Sequence, residues 1–256
     1  MGSLAELVAA ARALALRAGA EILRHYERPA AVVTKPDGTP VTEADTAAER
    51  VIVPGLLRLT PEVPVVSEET DARSGIPLVP GRRFWLVDPL DGTKEYIARN
   101  GEFTVNIALI EDGRPVLGVV HAPALGATYD AHGPGTARRA TGGGGAEPIR
   151  ARSAPRDGLT VLLSRSHANR AVEDDYLRPL SVARTVRMGS SVKFGLLAAG
   201  EADLYLRFGP TREWDTAAGH AVLAGAGGRV ETFDGRELGY GKPGLANPPF
   251  IAWGAR

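Results

Sequence analysis

The sequence predicts a mixed protein of helices and strands, with an α+β first half and a layered α/β second half. Three observations support this fold class. Apolar residues recur at helical spacing in the first 60 residues, strand-like runs follow, and strands alternate with helical patterns beyond residue 158. With 256 residues, of which 44% are hydrophobic, the chain is long enough to bury a large core.

Two amphipathic helices are predicted at the N-terminus. The first follows the apolar pattern of residues 4–22 and should end before Pro29. The second begins after Thr42, a candidate N-cap, which places Asp45 in the first turn, where the helix dipole favours a carboxylate. Pro54 lies inside this second pattern and predicts a kink or a boundary.

Seven strand-like runs and three more helical patterns follow. The runs are VPVV (63–66), FWLV (84–87), FTVNIALI (103–110), PVLGVVH (115–121), LTVLLS (159–164), RTVRM (184–188) and DLYLRF (203–208). EDGR between the third and fourth runs is typical of a hairpin turn, so part of the first sheet should be antiparallel. The helical patterns lie near 169–180, 191–199 and 214–226.

The segment 136–155 is rich in Gly, Arg and Pro and has no apolar periodicity. It predicts a loop and a boundary between an N-terminal domain, residues 1–150, and a C-terminal domain, residues 151–256. Its four consecutive glycines lack the preceding strand and the following helix of a dinucleotide-binding fingerprint.

Composition restricts the class of partner. Lys plus Arg equal Asp plus Glu at 30 each, so no basic field gathers nucleic acid or anionic lipid, and a small molecule is expected. The absence of cysteine excludes disulfides and thiolate chemistry. The N-terminal segment shows neither a signal peptide nor a membrane span, and the cytoplasm is the expected location.

The stretch WLVDPLDGTKEY places Asp88 and Asp91 directly after a strand. Pro89 and Gly92 force a turn that can point both carboxylates to one side. Taken alone, a turn of this kind is more often structural than functional. Repulsion between two neighbouring acids leaving the core nevertheless demands a compensating positive charge.

Further acids occupy equivalent positions. They are Glu68 and Glu69 in SEE, Asp45 in TEAD, and Asp215 in EWDTAAG. Each lies where a strand ends or a helix begins, which is where ligands are usually gathered. The set predicts an all-oxygen site for a hard divalent cation such as Mg²⁺, whereas histidine, absent from these motifs, would indicate zinc.

A magnesium site of this kind suits phosphoryl transfer to water, because the metal ionises the water and neutralises the phosphoryl group. The Thr93 hydroxyl can hold the water, and Asp45 can accept a proton or hydrogen bond from the pair. Gly92 and the amides that follow it can approach phosphate oxygens closely.

The motifs WLVDPLDGTKEYIARNGEFTVNIALI, SEE, TEAD and EWDTAAG together resemble the inositol-monophosphatase superfamily of lithium-sensitive, magnesium-dependent phosphatases. Within it, GTKEY, SRSH (164–167), GSSVK (189–193) and the late ANPPF resemble the CysQ-type 3'(2'),5'-bisphosphate nucleotidases. The resemblance runs in order from about residue 40 to the C-terminus.

The resemblance implies an αβαβα sandwich and assigns roles to individual residues. Two to three Mg²⁺ ions would be held by Glu68, Asp88, the carbonyl of Leu90, Asp91 and Asp215. Asp45, Thr93 and Glu68 would be catalytic. The substrate would contact Gly92, Thr93, Ser164, His167, Gly189, Ser190 and Lys193.

The implied reaction is removal of the 3'-phosphate of adenosine 3',5'-bisphosphate, with 3'-phosphoadenylyl sulfate as a second substrate, in sulfur metabolism. Simple inositol phosphatases usually lack Lys193, whose ammonium can bind the uncleaved 5'-phosphate through a charge-assisted hydrogen bond. Inositol monophosphate or a sugar bisphosphate is the alternative substrate, and the chain is expected to be a monomer or a homodimer.

Two rival classes fit the sequence less well. A haloacid-dehalogenase-type phosphatase also contains DGT, but it needs two aspartates two residues apart, and Asp88 and Asp91 are three apart. A catalytically silent phosphonucleotide sensor would be expected to have lost one of the metal-binding acids, and all of them are present.

Overall fold

The computed structural model describes residues 2–27, 32–35, 38–70, 81–166 and 169–255. The helices are α1 (Leu4–Tyr26), α2 (Glu43–Leu59), α3 (Thr93–Ile97), α4 (Arg170–Leu177), α5 (Val192–Ala198) and α6 (Ala217–Gly225). Residues 68–70 form a further helical turn. Short 3₁₀ turns cover Pro123–Leu125, Glu213–Asp215 and Pro243–Leu245.

Sixteen strands are present within the described ranges. Those of the first half are β1 (Val32–Thr34), β2 (Pro40–Thr42), β3 (Val65–Ser67), β4 (Arg83–Asp91), β5 (Thr104–Glu111), β6 (Arg114–Ala122), β7 (Ala127–Ala131), β8 (Arg138–Thr141) and β9 (Glu147–Pro148). Those of the second half are β10 (Leu159–Ser164), β11 (Val182–Met188), β12 (Leu204–Arg207), β13 (Thr211–Arg212), β14 (Arg229–Thr232), β15 (Ala246–Asn247) and β16 (Phe250–Trp253).

Two large sheets form the framework. The first has seven strands in the order β3-β4-β5-β6-β7-β8-β9, parallel only between β3 and β4. The second has five strands in the order β11-β10-β12-β16-β14, with β10 parallel to both of its neighbours and β16 antiparallel to both of its own. β1 pairs with β2, and β13 with β15, in two small antiparallel sheets.

The apolar faces of these sheets stack the molecule into five layers. Helices α1 and α2 cover one face of the seven-stranded sheet, where their buried residues pack with Trp85 and Ile107. Helices α5 and α6 lie between the two sheets, with Phe194 and Val222 in the shared core. On the outer face of the five-stranded sheet, Tyr176 of α4 packs against its apolar residues. The αβαβα sandwich is therefore confirmed.

The predicted helices and strands are largely confirmed. Thr42 caps α2 through a capping box with Asp45, whose carboxylate accepts the Thr42 N–H at 2.8 Å. EDGR forms the β5–β6 hairpin turn, with φ of 48° at Asp112 and 76° at Gly113. Both central residues of the turn thus adopt the left-handed conformation that short hairpins favour.

Three local predictions are corrected. Pro54 does not mark a helix boundary, since α2 continues to Leu59, and the alternative of a kink stays a prediction. Asp88 and Asp91 lie within β4, at an irregularity in its pairing with β5, and not in a turn after the strand. The segment 136–155 is not only a loop, since it contains β8 and β9, which pair across the glycine run as a hairpin. Backbone hydrogen bonds hold this hairpin, so its strands need no apolar periodicity.

The two sheets lie on either side of residue 150, but one apolar cluster includes residues from both, so the core crosses the proposed boundary. The division into two domains stays a prediction. Among the described residues, no helix combines the length and apolar character needed to cross a membrane.

Candidate functional site

A cavity of about 560 Å³ lies between elements of both halves of the chain. Such a volume is typical of small-molecule sites. The residues proposed from sequence that line it are Glu68, Asp88, Leu90, Asp91, Gly92, Thr93, Ser164, Gly189, Ser190, Lys193 and Asp215. Asp45 lies behind this surface and contacts Thr93. His167 lies outside the described residues, so its substrate contact stays a prediction.

The end of β4 sets the positions of Asp88 and Asp91. Asp88 pairs with Asn106 of β5 and Asp91 with Thr104, and the register shifts between the two pairs. β4 therefore has one more residue than β5 in this stretch, and the resulting bulge turns the strand end toward the cavity. The Asp88 carboxylate accepts the Leu90 N–H at 3.0 Å, which stabilises this bulge.

Burial and mutual repulsion raise the pKa values of the acids in the cavity. Loss of hydration raises the pKa of Asp88 and of Asp215 well above the usual value, and nearby carboxylates raise both further. Burial also raises the pKa of Asp91 to about 6, against the opposing effect of Lys193. Buried carboxylates that lie close enough to raise one another's pKa values are the environment expected of a divalent cation site.

Lys35 is a buried cation at this site that the sequence analysis missed. Its ammonium lies 2.8 Å from a Glu68 carboxylate oxygen and 2.6 Å from one of Glu69. Burial acts to lower the pKa of Lys35, but the two carboxylates outweigh it and the net shift is upward. Burial raises the pKa of Glu69 to about 7. Lys35 follows a short exposed strand, which gives no sequence signal of a buried charge.

Other groups of the protein engage several of the acids in the cavity. Within the ranges that the structure covers, no three aspartate, glutamate or histidine side chains are gathered so that they could hold a metal ion as they stand. Other donors engage several of them: Lys35 holds Glu68, and the Ser191 N–H donates to Asp91 Oδ2 at 2.6 Å. The donor chemistry, carboxylate and carbonyl oxygens, fits a hard cation.

Thr93 and Asp45 meet at the acidic side of the cavity. The Thr93 hydroxyl donates to Asp45 Oδ1 at 3.3 Å, although 48 residues separate them in the chain. Asp45 Oδ2 accepts the Thr42 hydroxyl at 2.7 Å, so both carboxylate oxygens are oriented. Burial raises the pKa of Asp45. The predicted pairing of these two residues is therefore present in the structure.

Glu213, a buried acid that sequence reasoning did not single out, anchors the turn that carries Asp215. Asp215 ends the 3₁₀ turn Glu213–Asp215 and accepts the Arg212 N–H at 2.9 Å. Glu213 is fully buried and accepts the N–H groups of Gly241 and Lys242 at 2.6 and 2.9 Å. The turn that carries Asp215 is thus anchored to a distant loop.

The cavity lining also carries positive charge. Arg207, at the end of β12, is buried and donates to the Ser164 hydroxyl at 2.7 Å and to the Pro210 carbonyl at 2.9 Å. The sequence analysis missed Arg207. An arginine that ends an otherwise apolar strand, DLYLRF, is the signal that could have identified it.

Lys193 is buried, and its ammonium is hydrogen-bonded to backbone carbonyls. Its ammonium donates to the carbonyls of Met188 at 3.1 Å, Gly189 at 2.9 Å and Ser190, and lies 4.9 Å from the centre of the Tyr205 ring. Burial lowers the pKa of Lys193 to about 7. In this arrangement the ammonium stabilises the 188–190 turn, and its contact with a second phosphate stays a prediction.

Comparisons with known proteins give a consistent set of relatives. The model of the inositol monophosphatase family matches residues 3–253. The 3'(2'),5'-bisphosphate nucleotidase CysQ of Escherichia coli (strain K12) is 49% identical over 242 residues, which are 93% of this chain and 95% of that protein.

Solved structures share the fold across almost the whole chain. CysQ from Bacteroides thetaiotaomicron superposes with a TM-score of 0.81 at 38% identity, covering 98% of both chains. An inositol monophosphatase from Zymomonas mobilis superposes with a TM-score of 0.78 at 29% identity, covering 100% of this chain and 95% of that one.

Proposed function

Because the chain belongs to the inositol monophosphatase family, we propose that it is a magnesium-dependent phosphatase that converts adenosine 3',5'-bisphosphate and water into AMP and inorganic phosphate. We propose 3'-phosphoadenylyl sulfate as a second substrate. The observation that carries this proposal is the pairing of Thr93 with Asp45 at 3.3 Å, beside the acidic wall of a cavity of ligand size.

The acidic wall supplies the ligands. Two to three Mg²⁺ ions would be held by the carboxylates of Glu68, Asp88, Asp91 and Asp215 and by the carbonyl of Leu90. Bound Mg²⁺ supplies a lowered pKa for a coordinated water and neutralisation of the phosphoryl oxygens. The Lys35 ammonium, 2.8 Å from Glu68 Oε1, would orient this carboxylate.

Thr93 and Asp45 prepare the attacking water. Because the Thr93 hydroxyl donates to Asp45, its oxygen lone pairs remain able to accept a hydrogen bond from water. The proton that the water loses passes by way of Thr93 to Asp45, a buried carboxylate with a raised pKa. The new bond forms between the water oxygen and phosphorus as the bond to the 3'-oxygen breaks. That oxygen takes a proton from a solvent water, and Asp45 returns its proton to solvent.

The basic wall supports a substrate with a second phosphate. Arg207 lines the cavity and carries a permanent positive charge beside Ser164. A phosphate that is not cleaved would be held there while the other reaches Thr93. This reading agrees with the names of the bacterial relatives, which are bisphosphate nucleotidases.

A single assay separates this proposal from its alternative, an inositol or sugar-bisphosphate phosphatase with the same metal chemistry. Phosphate release would be measured from adenosine 3',5'-bisphosphate, 3'-phosphoadenylyl sulfate, inositol 1-phosphate and fructose 1,6-bisphosphate, each with Mg²⁺ and with chelator. We expect the two 3'-phosphonucleotides to be preferred and all release to stop in chelator.

Two variants make the assay specific. Asp91→Asn should abolish Mg²⁺-dependent turnover, whereas Asp112→Asn, which changes an exposed aspartate in a hairpin turn, should leave it unchanged. Preference for inositol 1-phosphate would retain the metal site and refute the nucleotide substrate. Unchanged turnover in Asp91→Asn would refute the metal assignment.

A further inference from the structure

Glu102 joins the two halves of the chain at the edge of the cavity. It lies between α3 and β5, and its side chain is 13% exposed. Its carboxylate accepts the Arg165 guanidinium in a two-pronged contact, with Nε at 2.8 Å and an Nη at 2.6 Å. The same carboxylate accepts the Gly189 N–H at 2.7 Å. One side chain therefore holds two loops that the chain separates by 24 residues.

Those two loops are the ones that carry the proposed substrate motifs. Arg165 follows Ser164 at the end of β10, and Gly189 precedes Ser190 at the start of the turn before α5. The Arg165 guanidinium also donates to the carbonyl of Arg187 at 2.8 Å, which ties the ends of β10 and β11 together. Neither Glu102 nor Arg165 is among the residues that line the cavity.

A second carboxylate packs into the same junction. Glu95 of α3 is buried and accepts the Ser166 hydroxyl. A Cβ at Gly189 would lie only 2.4 Å from Glu95 Cγ and 3.0 Å from the Glu102 carbonyl oxygen. A Cβ at Gly92 would lie 2.9 Å from that same carbonyl oxygen. Because the junction has no spare volume, a displacement of Glu102 must move the loops that it holds.

We propose that Glu102 is a positioning residue for substrate binding, which holds residues 164–166 and 189–191 against the acidic half of the site. This inference rests on the proposed function, because it takes those residues to contact the part of the substrate that is not cleaved. Burial opposes the charge on Glu102, but the hydrogen bonds from Arg165 and Gly189 keep its pKa below the usual value. The carboxylate is therefore ionised at neutral pH.

Because Glu102 does not touch the reacting groups, its loss should weaken substrate binding more than it lowers kcat. Loss of Glu102 leaves Thr93, Asp45, Asp88 and Asp215 in place but releases the two loops that carry the proposed substrate motifs. Glu102→Ala should raise KM for adenosine 3',5'-bisphosphate about tenfold and change kcat less than about threefold, the size expected for a lost charged hydrogen bond. Arg165→Met should raise KM only about threefold, because its guanidinium is about half exposed and solvent weakens the pair.

The experiment is a double-mutant cycle read on two substrates. Steady-state kinetics would compare wild type, Glu102→Ala, Arg165→Met and the double variant on adenosine 3',5'-bisphosphate and on p-nitrophenyl phosphate, which has no second phosphate. We expect the double variant to be no worse than Glu102→Ala alone, because both changes remove the same contact. The KM for p-nitrophenyl phosphate should change less than about twofold in every variant. The matched control is Arg82→Met with Asp112→Ala, another ion pair remote from the cavity.

Hydrogen exchange gives a readout independent of activity. Because the Gly189 N–H donates to Glu102, the peptide covering 187–193 should exchange faster in Glu102→Ala than in wild type. Asp112→Ala should leave that peptide unchanged. Glu102→Gln keeps an acceptor oxygen without the charge, so its KM should lie between those of wild type and Glu102→Ala.

The outcomes that overturn the inference are specific. Equal losses of kcat/KM on both substrates, or a lower melting temperature with unchanged KM, would show that Glu102 serves only stability. Additive losses in the double variant would show that Glu102 and Arg165 do not act together. If wild type prefers inositol 1-phosphate, the proposed function fails, and the same cycle on inositol 1-phosphate against p-nitrophenyl phosphate then decides the role of Glu102.

Discussion

The chemistry of the site depends on single hydrogen bonds between residues far apart in the chain. Thr93 reaches Asp45 across 48 residues, and Asp91 accepts the Ser191 N–H across 100. Each contact orients a carboxylate whose pKa burial has raised. A change of one atom at these positions should therefore alter catalysis more than it alters folding.

Thr93→Ala tests the water-positioning role. Removal of the hydroxyl takes away the atom proposed to hold the attacking water, so kcat should fall about 100-fold. KM should change less than about threefold, because the contact acts mainly in the transition state. Steady-state kinetics on the preferred phosphate ester measure both quantities.

Thr93→Ser is the matched control, since it keeps the hydroxyl and should retain most of the turnover. Equal effects of Thr93→Ala on kcat and on substrate affinity would instead assign Thr93 to holding phosphate.

His220 makes the folding stability depend on pH. It is fully buried, its Nδ1 lies 3.1 Å from the Tyr240 hydroxyl, and burial lowers its pKa to about 4. Between pH 4 and its unfolded value of about 6.5, the unfolded chain binds a proton that the folded protein does not. The free energy of unfolding therefore falls as the pH drops through this window, by about 2 kcal/mol from pH 7.5 to pH 5 for this histidine.

His220→Asn should remove that contribution. Urea unfolding at pH 7.5 and pH 5 should show a smaller loss of stability in this variant than in wild type, by about 2 kcal/mol. The raised pKa values of the acids in the cavity act in the opposite direction, but they are common to both proteins and cancel in the difference. His132→Asn, at a partly exposed position, is the control, and an identical pH slope in wild type and His220→Asn would disprove the assignment.

Among the helices, α2 contains a proline, Pro54, in its interior. Pro54 has no N–H to donate to the carbonyl one turn earlier, yet the helix continues to Leu59. The buried positions on either side, Ile52 and Leu56, anchor α2 to the seven-stranded sheet. Tertiary packing thus outweighs the local preference of the sequence.

Pro54→Ala should stabilise the protein by about 1–2 kcal/mol. A helix-interior proline costs about 3 kcal/mol, and part of this gain is offset because alanine makes the unfolded chain more flexible. Pro54 is exposed, so the substitution removes no core contact. Urea unfolding at neutral pH measures the change, with Arg58→Ala as an exposed control in the same helix. A loss of stability in Pro54→Ala would show that the helix is not strained there.

For the whole molecule, the balance of charge in the cavity links cation binding to stability. Burial and mutual repulsion raise the pKa values of Asp88 and Asp215, and the folded protein must hold these acids together. A cation that binds only the folded state adds stability of about 3 kcal/mol at 100 times its dissociation constant.

Mg²⁺ should therefore raise the melting temperature by about 5–10 °C over its value in chelator, because each kcal/mol shifts a protein of this size by about 2–4 °C. In Asp91→Asn, the melting temperature in chelator should rise while the gain from Mg²⁺ becomes smaller. Asp112→Asn should behave as wild type. A thermal melt at fixed protein concentration decides this, and the absence of any Mg²⁺ shift in wild type would contradict a magnesium site.

The sequence by itself determined the elements whose signals are local. The apolar period of α1 and α2, the Thr42 cap and the EDGR hairpin were predicted correctly, because 3.6-residue and 2-residue periods and turn residues act over a few positions. Four acidic residues of the cavity, Glu68, Asp88, Asp91 and Asp215, were also identified, since each lies near the end of a strand or the start of a helix.

Only the tertiary structure decided what these residues contact. Lys35 is paired with Glu68, and Glu102 bridges two loops, through contacts over long sequence distances that leave no periodic trace in the chain. The bulge in β4 likewise arises from its pairing with β5. Burial is a property of the packed layers and not of any one segment. The shifted pKa values of Asp91 and Lys193 are caused mainly by burial, so only the five-layered tertiary structure determines them.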